Sequence, residues 1–570
     1  MIITGFPSLD RPWLALYPDG IADGERRLPD CTMYEYVRRG SLDYPEGTAL
    51  LCGGRTISYA MLTAGVEKAA EALLAAGVRK GDVVMLALPS IPEAVFLIYA
   101  VGSIGAVCDL LSPGAAADTL AFHMKASAPK MVFYDARRRK ELSDVIQKAG
   151  SVPVEVRRDE RMLFPHSGGA GILSWRGFLK KGKGAAAAGQ RAAAGLSPDD
   201  VAMIIHTSGS TAESKPVMLT HRNLNAFVYL HRTAQREFLP RGGRTLCLNS
   251  LFVIAGFCVT VHLILCAGLT SVLLPDVRPG DLAKMAEKTR SFILLCTAAE
   301  LERTMVSGKN YDLSSVKRIY VGGEPLSPTL EKKLQVYLES CGAKEALCNS
   351  YGLTEACSGF CIWPAGIYVP GGAGIPMLGV NVSVFDPETG EELRYGEEGE
   401  LCVTGPVVMK GYLKRPEETA KMLRRHKDGA IWLHTGDLGY MNENGVVFVL
   451  DRISRGMDVG GKKVYPAKIQ RVLSGFDRIN SCAVAGKDGK LTAFIVPVPG
   501  ISTEEWPAFV AALKGYAESH LPSEQRPDDY VYLDALPRLP SEKTDLRMLA
   551  LMGEFTAKKR EHAEQNREEK

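Results

Sequence analysis

The sequence predicts an α/β fold: a large N-terminal domain of helix-flanked β-sheets with a β-rich subdomain, followed by a small C-terminal α+β domain. Three observations lead there. At 570 residues the chain exceeds what one hydrophobic core supports. Short apolar runs alternate with amphipathic ones through the first half, as strands and helices sharing a sheet do. From Val380 to Leu450 the pattern changes to paired strands and turns, and it breaks again at Ile453-Ser454-Arg455-Gly456.

The elements follow in order. Ser58 to Leu74 reads as an amphipathic helix, Val83 to Ala87 as a strand after a Lys-Gly-Asp turn, and Pro92 to Gly105 as a second helix. Lys180 to Gly195, rich in Lys, Gly and Ala, reads as an exposed connection, and Val201 to Ile205 as a short buried strand. Leu246 to Pro275 is long and apolar, but Asn249, Gly256, His262 and Gly268 interrupt it and no aromatic belt or basic flank orients it. A buried strand, helix and strand are expected there, with no membrane span. Val380 to Phe385, a turn through Asp386-Pro387-Glu388-Thr389-Gly390, and Gly399 to Thr404 read as strand, turn and strand. A hairpin is expected around Asn444-Gly445, pairing Leu438 to Met441 with Val446 to Leu450. The charged stretch from Glu554 to Lys570 reads as a solvated tail.

Composition narrows the function. A net charge of +3 on so long a chain gives no ground for a nucleic-acid partner, while small anions remain compatible through local fields. The 13 cysteines sit in apolar runs, as small buried hydrophobes do, and Cys357 and Cys361 lack a second ligand pair for zinc. No secretion signal is read at the N-terminus, so a reducing cytoplasm is expected.

Two segments carry chemistry. In Tyr351-Gly352-Leu353-Thr354-Glu355, a turn freed by Gly352 is expected to present a π face for a purine, a hydroxyl for a phosphoryl oxygen, and a hard oxygen ligand for Mg²⁺ at Glu355. Upstream, Thr207-Ser208-Gly209-Ser210-Thr211 and then Lys215 follow the Val201 to Ile205 strand directly. Its hydroxyls and backbone N–H groups can wrap phosphate oxygens, with Lys215 as a mobile charge. The spacing to Lys215 rules out a Walker A loop.

With these, His206 to Asn223, Val321-Gly322-Gly323-Glu324-Pro325-Leu326, Gly411-Tyr412, Thr435-Gly436-Asp437, Asp451-Arg452 to Pro466, and Pro540-Ser541-Glu542-Lys543 occur in the order and approximate spacing of the adenylate-forming superfamily. The chain resembles that superfamily, which holds acyl-CoA synthetases, luciferases and peptide-synthetase adenylation domains, from about Cys31 to Leu549. The resemblance implies an acid–thiol ligase. MgATP and a carboxylic acid would give an acyl adenylate and pyrophosphate, and a thiol would then expel AMP. It places Gly323, Glu324 and Pro325 at the nucleotide, Asp437 on the ribose hydroxyls, and Arg452 on ribose or phosphate. It makes Lys543 the cation beside the reacting phosphorus, with Thr354 and Glu355 catalytic. It also implies an N-terminal adenylation domain over 1–452 and a small mobile domain over 453–570, with Arg455 at the hinge. The glycine-rich loop from Val459 to Pro466, Gly461 included, would line the pantetheine channel.

Four positions depart from the family pattern: Ala212, Pro216, Asp451 and Glu542 each stand where glycine is usual. Val253, after Phe252, offers no charge to meet an α-amino group, so a fatty or aromatic acid is expected in place of an amino acid. The acceptor thiol is read as CoA. A pantetheinylated acyl carrier protein and a member that binds nucleotide without turnover are the alternatives.

Overall fold

The computed structural model describes residues 4–17, 27–157, 171–182, 195–207, 214–235, 239–248, 251–276, 280–323, 326, 328–344, 346–487, 489–498, 500–502, 504–538 and 544–552. Two largely parallel sheets dominate the N-terminal part. One runs Gly411–Tyr412, Pro216–Thr220, Val201–His206, Val107–Leu110, Val83–Ala87, Met131–Asp135, Val152–Val156 and Leu173–Ser174. The other runs Leu347–Asn349, Arg318–Val321, Ile293–Cys296, Arg244–Cys247, Thr270–Leu273, Thr48–Cys52 and Arg55–Ser58. Their strands read as unbroken apolar runs because both faces are covered, as at Val84, Met85, Leu86 and Ala87, each at most 2% exposed. The first predicted helix forms at Tyr59–Ala75. The Ser58 hydroxyl accepts the Met61 N–H at 3.2 Å to cap it, and Leu62, Val66, Ala69 and Leu73 face inward.

The apolar stretch after Gly243 folds as expected, into strand Arg244–Cys247, a helical run Ile254–Cys266 and strand Thr270–Leu273. A π-turn at Cys258–His262 widens the helical run. It brings the His262 ring nitrogens 3.1 Å from the Tyr99 hydroxyl and 3.1 Å from Asn225 Oδ1, so the buried polar ring is satisfied. Among the described residues no helix is long and apolar enough to cross a membrane.

The β-rich part is an antiparallel sheet of Asn381–Phe385, Gly399–Thr404, Ile431–Met441 and Leu423–Arg425, with Val447–Arg452 paired to Ile431–Met441. The hairpin forms, and its first strand begins well before the expected Leu438. Its register sets Asp437 opposite Arg452. Beyond Arg452 a smaller α+β unit has its own core of Ile469, Leu473, Phe509 and Leu513. Helices Pro466–Leu473 and Trp506–His520 pack there on strands Ile479–Lys487, Lys490–Pro497 and Asp529–Tyr532. Residues 183–194 and 553–570, which hold most of the basic connection and the charged tail, lie outside the described residues.

One expectation fails. Tyr351–Leu353 is a strand antiparallel to Ser358–Ile362, followed by a 3₁₀ turn Thr354–Ala356. Positive φ falls on Cys357 and Ser358, at 58° and 104°, and not on Gly352. Gly352 is needed for closeness: a Cβ there would lie 1.8 Å from the Ser358 carbonyl oxygen.

Burial, the largest cause each time, holds His123, His221 and His231 down to about 4 and His262 to about 3. The unfolded chain protonates them near the usual value of ~6.5, so it binds more protons than the folded chain below that pH. Their contribution is fully present above pH ~6.5 and is lost as pH falls from there towards 4, at up to about 1.4 kcal/mol per unit for each. The main thermal transition should therefore drop steadily between pH 7 and pH 5. A melting temperature flat across that window would mean that these imidazoles take up protons without unfolding.

Candidate active site

The site is laid out at the carboxyl ends of parallel strands, where loops open without disturbing the sheet. Val201–His206 ends at Thr207, Arg318–Val321 at Gly322-Gly323, and Leu347–Asn349 at Ser350-Tyr351. Gly323 turns the chain at φ 93°, a conformation suited to glycine. Ser208, Gly209, Ser210, Thr211, Ala212, Glu324, Pro325, Glu542 and Lys543 lie outside the described residues.

The ends of the phosphate-type loop are pinned together. The Lys215 N–H donates to Thr207 Oγ1 at 3.0 Å, the Thr207 N–H donates to the Lys215 carbonyl at 3.0 Å, and the Ser214 hydroxyl donates to the Thr207 carbonyl at 2.7 Å. Pro216 then opens an edge-side strand opposite His206. Lys215 Nζ sits 5.2 Å above the Tyr412 ring and 3.2 Å from the Glu418 carboxylate.

At the centre is Asp437. Tyr351 Oη donates to Asp437 Oδ2 at 2.7 Å, and Arg452 Nε lies 2.8 Å from Asp437 Oδ1. Arg452 Nη1 also donates to the Thr435 carbonyl at 3.0 Å, while the Thr435 hydroxyl accepts the Asp437 N–H at 3.0 Å. Burial pushes the Asp437 carboxyl up, and Arg452 and Tyr351 work against that rise. Burial disfavours the Arg452 cation, but Asp437 with Tyr351, Glu355 and Tyr412 more than offsets it and holds its pKa above the usual value. Burial, then Asp437, lifts the Tyr351 phenol far above its usual range, so it stays a donor. Sequence reasoning gave Tyr351 only a stacking face. In the structure its ring is 7% exposed and meets Phe360 edge-on at 5.0 Å.

Glu355 is buried beside this group. Its Oε1 accepts the Tyr412 hydroxyl at 2.7 Å, and its backbone carbonyl accepts the Met409 N–H at 2.8 Å, so side chain and backbone are each held. These bonds leave Glu355 Oε2 as a hard oxygen, with the half-buried Thr354 hydroxyl next to it in sequence, which fits the donor set of Mg²⁺. Gly461 stands apart, in the turn between Met457–Val459 and Lys462–Val464, with its N–H on Asp458 Oδ1 at 2.9 Å.

Three features escaped the sequence. Tyr412 was noted in a motif without a role, and its phenol proves to be the bridge from Lys215 to Glu355. Glu400, at the inward face of Gly399–Thr404, accepts the Gly436 N–H at 2.9 Å and pairs with His434 Nδ1 at 2.7 Å, beside Cys402, with His426 2.8 Å from the other His434 nitrogen. The signal was a charged residue at a core position of an alternating strand. Asp109, fully buried, pairs with His206 Nε2 at 2.7 Å under the phosphate-type loop, with the His123 ring 3.9 Å from that of His206.

The Tyr351 hydroxyl gives a direct test of the Asp437 arrangement. Tyr351→Phe keeps the ring and removes one donor, which should weaken ATP binding by about 5- to 10-fold with the fold intact. Calorimetric titration with a non-hydrolysable ATP analogue measures this, and an unchanged Kd would show that Arg452 alone fixes the carboxylate.

Comparison with known proteins identifies the family. The family model described as AMP-binding enzyme matches residues 37–413. The long-chain-fatty-acid–CoA ligase of Bacillus subtilis (strain 168) is 28% identical over 93% of this chain and 95% of its own. The 4-coumarate–CoA ligase-like 9 of Oryza sativa subsp. japonica is 31% identical over 92% of this chain and 93% of its own. The crystal structure of ATP-bound MatB from Rhodopseudomonas palustris superposes with a TM-score of 0.76 at 26% identity, covering 90% of this chain and 98% of that one. With a family model spanning most of its length and relatives matching end to end, the chain belongs to the AMP-binding enzyme family.

Proposed function

We propose that this protein is an AMP-forming acid–CoA ligase. A carboxylate oxygen of the acid attacks the α-phosphorus of ATP and pyrophosphate leaves. The sulfur of CoA then attacks the acyl carbon, AMP leaves, and the thiol proton passes to solvent. The observation that carries the reading is the joining of Lys215, Tyr412 and Glu355 with Tyr351, Asp437 and Arg452 at the sheet ends, in a chain whose end-to-end relatives are named CoA ligases.

Asp437 faces the ribose hydroxyls as an acceptor, aimed by Tyr351 and Arg452. Thr207 and Lys215 hold the mouth of the phosphate loop, and Lys215 brings positive charge to the phosphates. Mg²⁺ would be held by Glu355 and would neutralise phosphate charge. Tyr412 fixes the orientation of that carboxylate. Lys543 is the cation that stabilises charge as the anionic acid meets the phosphorus.

The domain boundary falls after Arg452, and the small domain turns about Ile453–Arg455 between the two half-reactions. Its polar contacts with the larger part support this: Lys468 with Glu398, the Ala467 N–H on Asp451 Oδ2 at 2.9 Å, and Arg471 Nη2 on the Gly371 carbonyl at 3.1 Å. Thirteen unpaired thiols support a reducing, cytoplasmic setting.

Pyrophosphate release from MgATP across a panel of aliphatic and aromatic acids, with and without CoA, tests the proposal. Release should depend on the acid, and Lys543→Ala should slow it by about 100-fold or more while ATP still raises the melting temperature. Acid-independent release, or full activity in the variant, would refute it.

A further inference from the structure

Asp437 is presented by an irregularity in its sheet. Strand Gly399–Thr404 pairs Glu400 with Leu438 and Cys402 with His434, so Thr435, Gly436 and Asp437 together face the single residue Leu401. The surplus residues have to arch out of the ladder, and a bulge of this kind re-aims a side chain. Backbone N–H groups in such an arch lose their ladder partners and need other acceptors. Side chains supply them here. Glu400 Oε1 accepts the Gly436 N–H at 2.9 Å, Thr435 Oγ1 accepts the Asp437 N–H at 3.0 Å, and the Thr435 hydroxyl donates to the Leu401 carbonyl at 2.6 Å.

Glu400 is itself held in place. Its second oxygen lies 2.7 Å from His434 Nδ1, and an ionised carboxylate only accepts, so Nδ1 carries the proton. Burial works to raise the Glu400 pKa, but His434 and the Gly436 N–H more than offset it and hold it below its usual value. On the far side of the ring, His434 Nε2 meets His426 Nε2 at 2.8 Å, a separation that admits one proton between them. Phe385 packs edge-on against His426 at 4.4 Å. A continuous chain thus runs from His426 through His434 and Glu400 to Gly436, the residue before Asp437.

We propose that Glu400 and His434 are positioning residues for the nucleotide: Glu400, aimed by His434, holds the Thr435–Asp437 arch in the shape that turns the Asp437 carboxylate to the ribose hydroxyls. This rests on the adenylation reading, in which Asp437 takes those hydroxyls. Both residues act through Gly436 and not by touching the nucleotide. The role asks of residue 400 an acceptor for Gly436 and a partner for His434. Glutamine meets both demands: its oxygen accepts the Gly436 N–H, its amide donates to His434 Nδ1, and His434 in its other tautomer donates from Nε2 to His426. Leucine meets neither.

The test is calorimetric titration of the full chain with ATP and with 2′,3′-dideoxy-ATP, which lacks both ribose hydroxyls. The parent chain should bind ATP about 10-fold or more tightly than the dideoxy analogue. Glu400→Leu and His434→Phe should each shrink that margin to about 2-fold or less by weakening ATP alone, while Glu400→Gln should keep most of it. A melting transition in each variant shows that it is folded. A folded Glu400→Leu or His434→Phe that keeps the margin, or loses affinity for both nucleotides in parallel, would overturn the proposal. Loss of the melting transition in both would make the pair a requirement of folding and overturn it as well. If the parent chain binds the two nucleotides equally, the assignment of Asp437 to the ribose falls and takes this inference with it, whatever the variants do.

Discussion

The buried Asp437 carboxylate is the constraint around which the site is arranged. It sits in the long strand of the β-rich sheet, yet one oxygen is held by Tyr351, which continues from the second parallel sheet, and the other by Arg452, the last residue before the 3₁₀ turn Ile453–Arg455. A distant segment and both strands of one hairpin thus meet on one carboxylate. Removing a charge from water is expensive, and attraction to a partner roughly repays it when geometry is good. Arg452 is 46% exposed along its side chain, so screening reduces the pair's contribution further. The pair therefore adds little to stability and mainly fixes position: two donors leave the carboxylate one orientation.

The next residue back extends this arrangement across the domain junction. In an extended strand neighbouring side chains point to opposite faces, so Arg452 turns to Asp437 while Asp451 turns towards the small domain. Asp451 is 3% exposed, and its two oxygens accept the Arg452 N–H at 2.7 Å and the Ala467 N–H at the start of helix Pro466–Leu473 at 2.9 Å. Carboxylates suit the positive end of a helix. A residue that departs from the glycine expected by resemblance thus has a clear task, tying strand Val447–Arg452 to helix Pro466–Leu473. The other contacts here, Lys468 with Glu398 and Arg471 with the Gly371 carbonyl, are polar side-chain contacts of the kind that exchange readily for water.

What the sequence made legible follows from what is local. Val83–Ala87 and Gly399–Thr404 appear with the expected bounds because a short, mainly apolar run between turn residues has few other outcomes. The Asn444-Gly445 hairpin was readable from its turn residues, while the meeting of Asp437 and Arg452 came with the observed register. Gly352 was misread because a glycine admits two explanations, backbone freedom and closeness. Only the Ser358 carbonyl lying where a Cβ would be decides between them. The Tyr412–Glu355 bond spans 57 positions and the Glu400–His434 pair 34, and no periodicity links such partners. The motifs could therefore name which residues matter, while their pairing had to come from the fold.

Charge is distributed unevenly through the site, and the distribution has a physical logic. The phenols inside are held neutral: those of Tyr351 and Tyr412 are raised far above their usual range, chiefly by burial. The cations Lys215 and Arg452 are each partly exposed, where water shares the cost of their charge and a phosphate can reach them.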